Sequence, residues 1–112
     1  MGTYRSKIAM VEALQITKDN VNDESLWTYW MFDALKLSPG SKGAIWPSGF
    51  VEKDGKERFF VSNRDGTHII EWGDYIVRVA KDEIYSIKPY VFEAIYVPVE
   101  EIVDKGKLGG NL

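Results

Sequence analysis

The run from Gly73 to Val97, GDYIVRVAKDEIYSIKPYVFEAIYV, constrains the fold more than any other part of the chain. Apolar and polar residues alternate in three short stretches: Tyr75-Ile76-Val77-Arg78-Val79, Ile84-Tyr85-Ser86-Ile87 and Phe92-Glu93-Ala94-Ile95-Tyr96-Val97. Breaks fall at Lys81-Asp82 and Lys88-Pro89. Alternation at period two is what a half-buried strand requires, because successive side chains point to opposite faces, so the segment predicts a meander of three strands. None of its residues forms a catalytic motif.

The same reading extends upstream. Residues 8–17 predict a strand in which Glu12 shares a face with Leu14 and Ile16. The stretch Asn20-Val21-Asn22-Asp23-Glu24-Ser25 offers capping side chains and early acidic groups, predicting a helix from about Asp23 to Leu37 that ends at Ser38-Pro39-Gly40-Ser41. Further strands follow at 43–51, 57–62 and 67–71, with hairpin turns at Asp54-Gly55 and Asp65-Gly66, where glycine supplies the positive φ of a tight turn. Pro47 has no N–H to give, so its strand belongs at a sheet edge or is broken there. Val11-Glu12-Ala13-Leu14-Gln15-Ile16 and Phe92-Glu93-Ala94-Ile95-Tyr96-Val97 share a pattern, which makes them expected sheet partners. The expected fold is α+β, with one helix packed on a curved antiparallel sheet of about six strands. Residues 1–99 form the domain and 100–112, which lack periodicity, a flexible C-terminal tail.

Two ends of the chain carry a resemblance. The opening has Tyr4-Arg5-Ser6-Lys7 and Val11-Glu12-Ala13-Leu14-Gln15. The closing has Gly73-Asp74-Tyr75-Ile76-Val77-Arg78, then Tyr85, Lys88, Pro89, and Phe92-Glu93-Ala94 with Tyr96. This combination resembles a family of small proteins of tailed phages and prophages, which start with a Tyr-Arg-x-Lys stretch before a Val-Glu-Ala-x-Gln strand and finish in the same order. Residues 18–65 lie outside the match. Relatives often carry Gly after the arginine, where this chain has Val79-Ala80-Lys81-Asp82, so its turn is expected to differ in shape. What the resemblance implies is a phage origin and a fold, not a reaction.

Composition removes several classes. The 112 residues are enough to bury a core without a metal or disulfide, and with no cysteine both disulfides and thiol chemistry are excluded. A net charge of -3 offers no general attraction to a nucleic acid polymer. No apolar run reaches the roughly 18 residues of a membrane span, and the first residues lack a signal-peptide core. The expected location is the cytoplasm of an infected bacterial host, away from the membrane.

The predicted helix carries large apolar groups on nearly every side, among them Trp27, Tyr29, Trp30, Met31 and Phe32. One sheet face needs only one stripe, so these five are the expected interface of a homo-oligomer; the plainer alternative is one wide stripe with some aromatics exposed. Glu12 and Glu93 are expected to be structural, each near Arg78, Lys88 or a backbone donor; acid/base work by the pair is the other option. His68, the only histidine, lacks the partners of a catalytic base and reads as a surface or strand residue. No metal-ligand spacing is present and no cofactor is implied. Gly40-Ser41-Lys42-Gly43 lacks the spacing of a phosphate loop.

Aromatic and basic residues supply the remaining chemistry. Rings stack on bases and guanidinium groups grip phosphates, so Arg78, Lys88 and Arg64 with Trp46, Trp72 and Tyr75 are the expected ligand-binding set; the alternative is a β-rich core with its rim. Arg78 interrupts an apolar strand, so it either binds a ligand or pairs with Glu12 or Glu93. The expected function is that of a non-enzymatic phage accessory protein sequestering a small phosphorylated, nucleotide-derived signal of host defence, by analogy with phage sponge proteins. The alternative is a protein-binding inhibitor of a host enzyme acting through the aromatic helix.

Overall fold

The computed structural model describes residues 2–3 and 10–99. It is α+β, with two helices and two three-stranded antiparallel sheets. In chain order the elements are β1 (Glu12–Gln15), α1 (Tyr29–Leu35), β2 (Ile45–Val51), β3 (Glu57–Asn63), β4 (Gly66–Ile69), β5 (Tyr75–Ala80), β6 (Glu83–Ile87) and α2 (Pro89–Ile95). One sheet has the order β1-β5-β6 and the other β2-β3-β4, so the expected six-stranded sheet is two separate halves. The expected tail, 100–112, and the first two residues of the expected strand at 8–17 lie outside the described residues.

Both hairpin turns fall where the glycines ask for them, with Gly55 and Gly66 at φ +84° and +115°. Pro47 lies on the edge strand β2, whose register with β3 breaks between Pro47 and Val51. The β5–β6 hairpin closes over Lys81-Asp82, and Asp82 takes a positive φ of 64°. Asp is among the few residues that adopt this region without glycine's freedom.

Three expectations are corrected. The long helix is interrupted: Asp23 caps only a 3-10 turn, Glu24–Leu26, and Trp27 and Thr28 are extended before α1 begins. The Asp23 carboxylate accepts the Ser25 N–H at 3.1 Å, so the expected cap is made, but the chain turns extended at Trp27 and α1 starts afresh after Thr28, which makes no side-chain cap bond. The stretch from Phe92 to Val97 is not a strand, because α2 runs to Ile95. Pro89 at its start has φ preset for a helix, and Phe92 and Tyr96, four residues apart, come to lie together with ring centroids 4.9 Å apart. The terminal segments therefore do not pair, and β1 lies against β5 in the register Glu12 to Arg78 and Leu14 to Ile76.

One core joins both sheets. Trp30, Met31 and Ala34 of α1, all nearly fully buried, meet Ile45 and Val61 of one sheet and Ile76 and Ile84 of the other. Ile16 and Val21 close the end beyond β1. On the far face of β5, Phe92 stacks on Tyr75 at 3.9 Å with rings nearly parallel, which docks α2. Asp74, buried just before β5, accepts the Glu71 N–H through Oδ2 at 3.0 Å; its Oδ1 makes no hydrogen bond but lies 3.4 Å from the Lys88 ammonium as an ion pair, and its backbone carbonyl accepts from the Ile16 N–H.

An ion network fastens the β2–β3 turn to the rest. Lys18 reaches Glu52 at 2.8 Å and Asp54 at 3.2 Å; Arg58 lies 3.3 Å from Glu52 and 3.0 Å from Glu71; Trp72 donates its indole N–H to Glu52. The bond from Lys18, then that from Trp72, holds the Glu52 carboxyl below its usual range, and Asp54 is lowered by the Lys56 N–H and then by Lys18. Glu52 and Asp54 in turn raise Lys18. Lowered carboxylates contribute stability that is present above an unfolded value of about 4 and lost as pH falls through their folded values; the raised lysine contributes below about 10.4 and loses it only as pH climbs past its folded value. Glu52→Gln is therefore expected to flatten the acid limb of a melting-temperature profile against pH, leaving neutral pH the region of smallest slope. An unchanged acid limb would show that the network adds nothing.

Candidate functional site

Arg78 sits on β5 at the border of the core. It shares a face with Ile76 and lies opposite Glu12 on one side and Ile84 on the other. The guanidinium reaches the surface beside α1, with the side chain about a quarter exposed. Its Nη1 donates to Glu12 at 3.0 Å and to the Tyr29 hydroxyl at 3.2 Å, and the Tyr29 ring centroid is 5.9 Å from the guanidinium carbon. Of the two partners expected for Arg78, the structure supplies Glu12 and not Glu93. The Glu93 carboxylate instead lies 3.5 Å from the Tyr75 hydroxyl on exposed α2, and burial, then Glu93, pushes the Tyr75 phenol up.

A cleft of about 310 Å³ opens beside Arg78. Trp30, Ala34 and Ile84, buried themselves, form its apolar floor; Leu37, Arg78, Lys81, Asp33 and Asp82 stand around it. Among the described residues, the Trp30 indole N–H is buried without an acceptor. Gly43 supplies the back wall at φ +87°, and a Cβ there would come within 2.9 Å of the Asp82 Cα. The approach of the 38–44 loop to the β5–β6 turn thus depends on that position lacking a side chain.

The other sequence-derived ligand residues are dispersed. Arg64 pairs with Glu83 at 2.8 Å, and Lys88 with Asp74. Trp46 packs on Phe60 on the outer face of the second sheet, Trp72 is bound to Glu52 with Lys18 over its ring, and Tyr75 is stacked on Phe92. Of the six, Arg78 alone lines the cleft. Trp30 and Met31, expected at an oligomer contact, lie in the core, and Trp27 packs edge-on against Phe59 and beside Phe32. Tyr29, Leu26 and Leu37 are the large apolar groups this region leaves open, at 64%, 50% and 39% exposure.

Sequence reasoning missed Asp33, Leu37, Gly43, Lys81 and Asp82 as neighbours of Arg78. The Lys81-Asp82 break was visible only as a turn; that it folds over the loop after α1 is a tertiary fact. His68 is exposed on β4, and no group of three His, Asp or Glu residues among those described is placed to hold a metal ion. Among the described residues, no helix is long and apolar enough to cross a membrane. Comparison of the chain with protein-family models, with curated proteins and with solved structures gave no match.

Gly43→Ala is expected to lower stability by about 1–2 kcal/mol for the left-handed backbone alone, and further through the collision with Asp82. Urea denaturation measures this. An alanine variant as stable as the wild type would mean that the loop and the turn can separate freely.

Proposed function

We propose that this chain is a non-enzymatic phage accessory protein that binds and sequesters a small phosphorylated, nucleotide-derived signal, and that the cleft beside Arg78 is where it does so. The observation that carries the reading is the pairing, in one concavity, of two cations with an apolar floor containing an indole. Arg78 and Lys81 suit a phosphate, and the floor of Trp30, Ala34 and Ile84 suits a base. Asp33 and Asp82 would oppose a bare anion, yet they accept hydrogen bonds from ribose hydroxyls and exocyclic amines, which a nucleotide has and inorganic phosphate lacks. Arg64, Lys88, Trp46, Trp72 and Tyr75 have no part in this version of the site.

Calorimetry against cyclic and ADP-ribose-derived nucleotides is the direct test. Arg78→Gln is expected to weaken binding at least tenfold, while Arg64→Gln and Lys88→Gln leave affinity within about twofold. Absence of heat with every compound would remove the sequestration reading.

The second reading, an inhibitor that binds a host protein, has one observation in its favour. None of the α2 residues is buried, and Tyr90 and Ile95 are 73% and 63% exposed, a larger apolar surface than a two-turn helix docked on a sheet needs to show. Self-association belongs to the proposal as well, through the open groups Leu26 and Tyr29. Sedimentation at micromolar concentration is expected to give an oligomer in the wild type and a folded monomer in Leu26→Asp. A wild-type monomer would confine the site to one chain.

A further inference from the structure

We infer that the cleft is matched to a nucleoside carrying a single negative charge, a phosphodiester, and that Glu12 sets this limit. The inference rests on the nucleotide reading above and narrows it. Arg78 is held through one nitrogen only. Nη1 donates to both Glu12 and Tyr29, and among the described residues Nε and Nη2 make no hydrogen bond. A guanidinium is planar, so fixing Nη1 from two directions fixes the plane and presents the Nε–Nη2 edge as a ready-made fork for two phosphate oxygens. Orientation and recognition thus fall to opposite edges of the same group.

Charge then decides how much anion the fork can take. Arg78 and Lys81 line the cleft, and Lys36 lies 3.9 Å from Asp33; against them stand Asp33, Asp82 and, on Arg78 itself, Glu12. The three cations and three carboxylates cancel. A first added negative charge is met by Arg78, shared with Glu12, and by Lys81, which makes no ion pair among the described residues; a second meets Asp33 and Asp82 in a cluster whose balance is already negative, with both lining cations engaged. A phosphodiester brings one charge, a terminal phosphate monoester close to two at neutral pH. Size agrees, since 310 Å³ is at the lower end of the roughly 300–1,000 Å³ typical of small-molecule sites and suits one nucleoside.

Glu12→Gln separates the two roles of that residue. The amide keeps an oxygen for Nη1, and so the orientation of the guanidinium, while the charge disappears. The experiment is calorimetry at fixed ionic strength on wild type, Glu12→Gln and Arg78→Gln, with 3′,5′-cyclic and 5′-monophosphates of adenosine and of guanosine. Wild type is expected to prefer the cyclic diester over the monoester of the same nucleoside by several-fold. Glu12→Gln is expected to narrow that preference by about 3-fold to 10-fold, mainly through tighter monoester binding, and Arg78→Gln to weaken both ligands. Wild type that binds but prefers the monoester, or a Glu12→Gln variant with the preference unchanged, overturns the charge limit while leaving the nucleotide reading intact. Failure of all four compounds to bind any of the proteins, where larger nucleotides do bind, overturns the single-nucleoside limit; failure of every nucleotide removes the reading beneath it.

Discussion

Three side chains on a helix of seven residues hold two small sheets together. Trp30, Met31 and Ala34 project from α1 into a space bounded by Ile45 and Val61 on one side and Ile76 and Ile84 on the other. A helix of about two turns is not stable alone in water, and a three-stranded sheet needs an apolar face covered to persist. Each element therefore exists because of the other two. Burying a side chain of this size contributes about 1.5–3 kcal/mol, against a total stability of about 5–15 kcal/mol for a typical domain, so the joint is a large share of what keeps the chain folded. The cleft inherits its position from the same joint, since its floor is the end of that buried surface.

Much of the strand pattern was legible because strands write their period directly into the sequence. The alternation of Tyr75 to Val79 and of Ile84 to Ile87, and the Asp-Gly turns at 54–55 and 65–66, correspond to β5, β6 and two hairpins. The last run misled for a definite reason: Phe92-Glu93-Ala94-Ile95-Tyr96-Val97 satisfies period two and also places Phe92, Ile95 and Tyr96 at helical spacing. A run this short cannot separate the two. Pro89 was the deciding signal, because at the first helical position it favours a helix as readily as it ends a strand. The break at Trp27-Thr28 had no such marker. Division into two sheets was not legible at all, since strand order depends on which loops fold back.

The site was legible as one residue. An arginine inside an apolar strand must find a partner or a ligand, and Arg78 has Glu12 directly across the ladder and Tyr29 above it. The aromatic residues misled because ring count says nothing of which face is free. Tyr75 is covered by Phe92, Trp46 rests on Phe60, and Trp72 is tied to Glu52. The indole that borders the cleft, Trp30, read as interface because its burial by a second sheet was not visible in the sequence.

The interruption of β2 at Pro47 governs how copies of this chain can meet. Pro47 withholds an N–H, Gly49 takes φ +85°, and the register with β3 shifts between Pro47 and Val51. An open strand edge is a template on which another backbone can extend the sheet, and this one is irregular along much of its length. Ladder growth from that side is closed even though Phe50 and Val51 are exposed there. Apolar groups can thus stay at the surface, available to a folded partner's side chains, without inviting the unlimited strand-on-strand addition that ends in fibres.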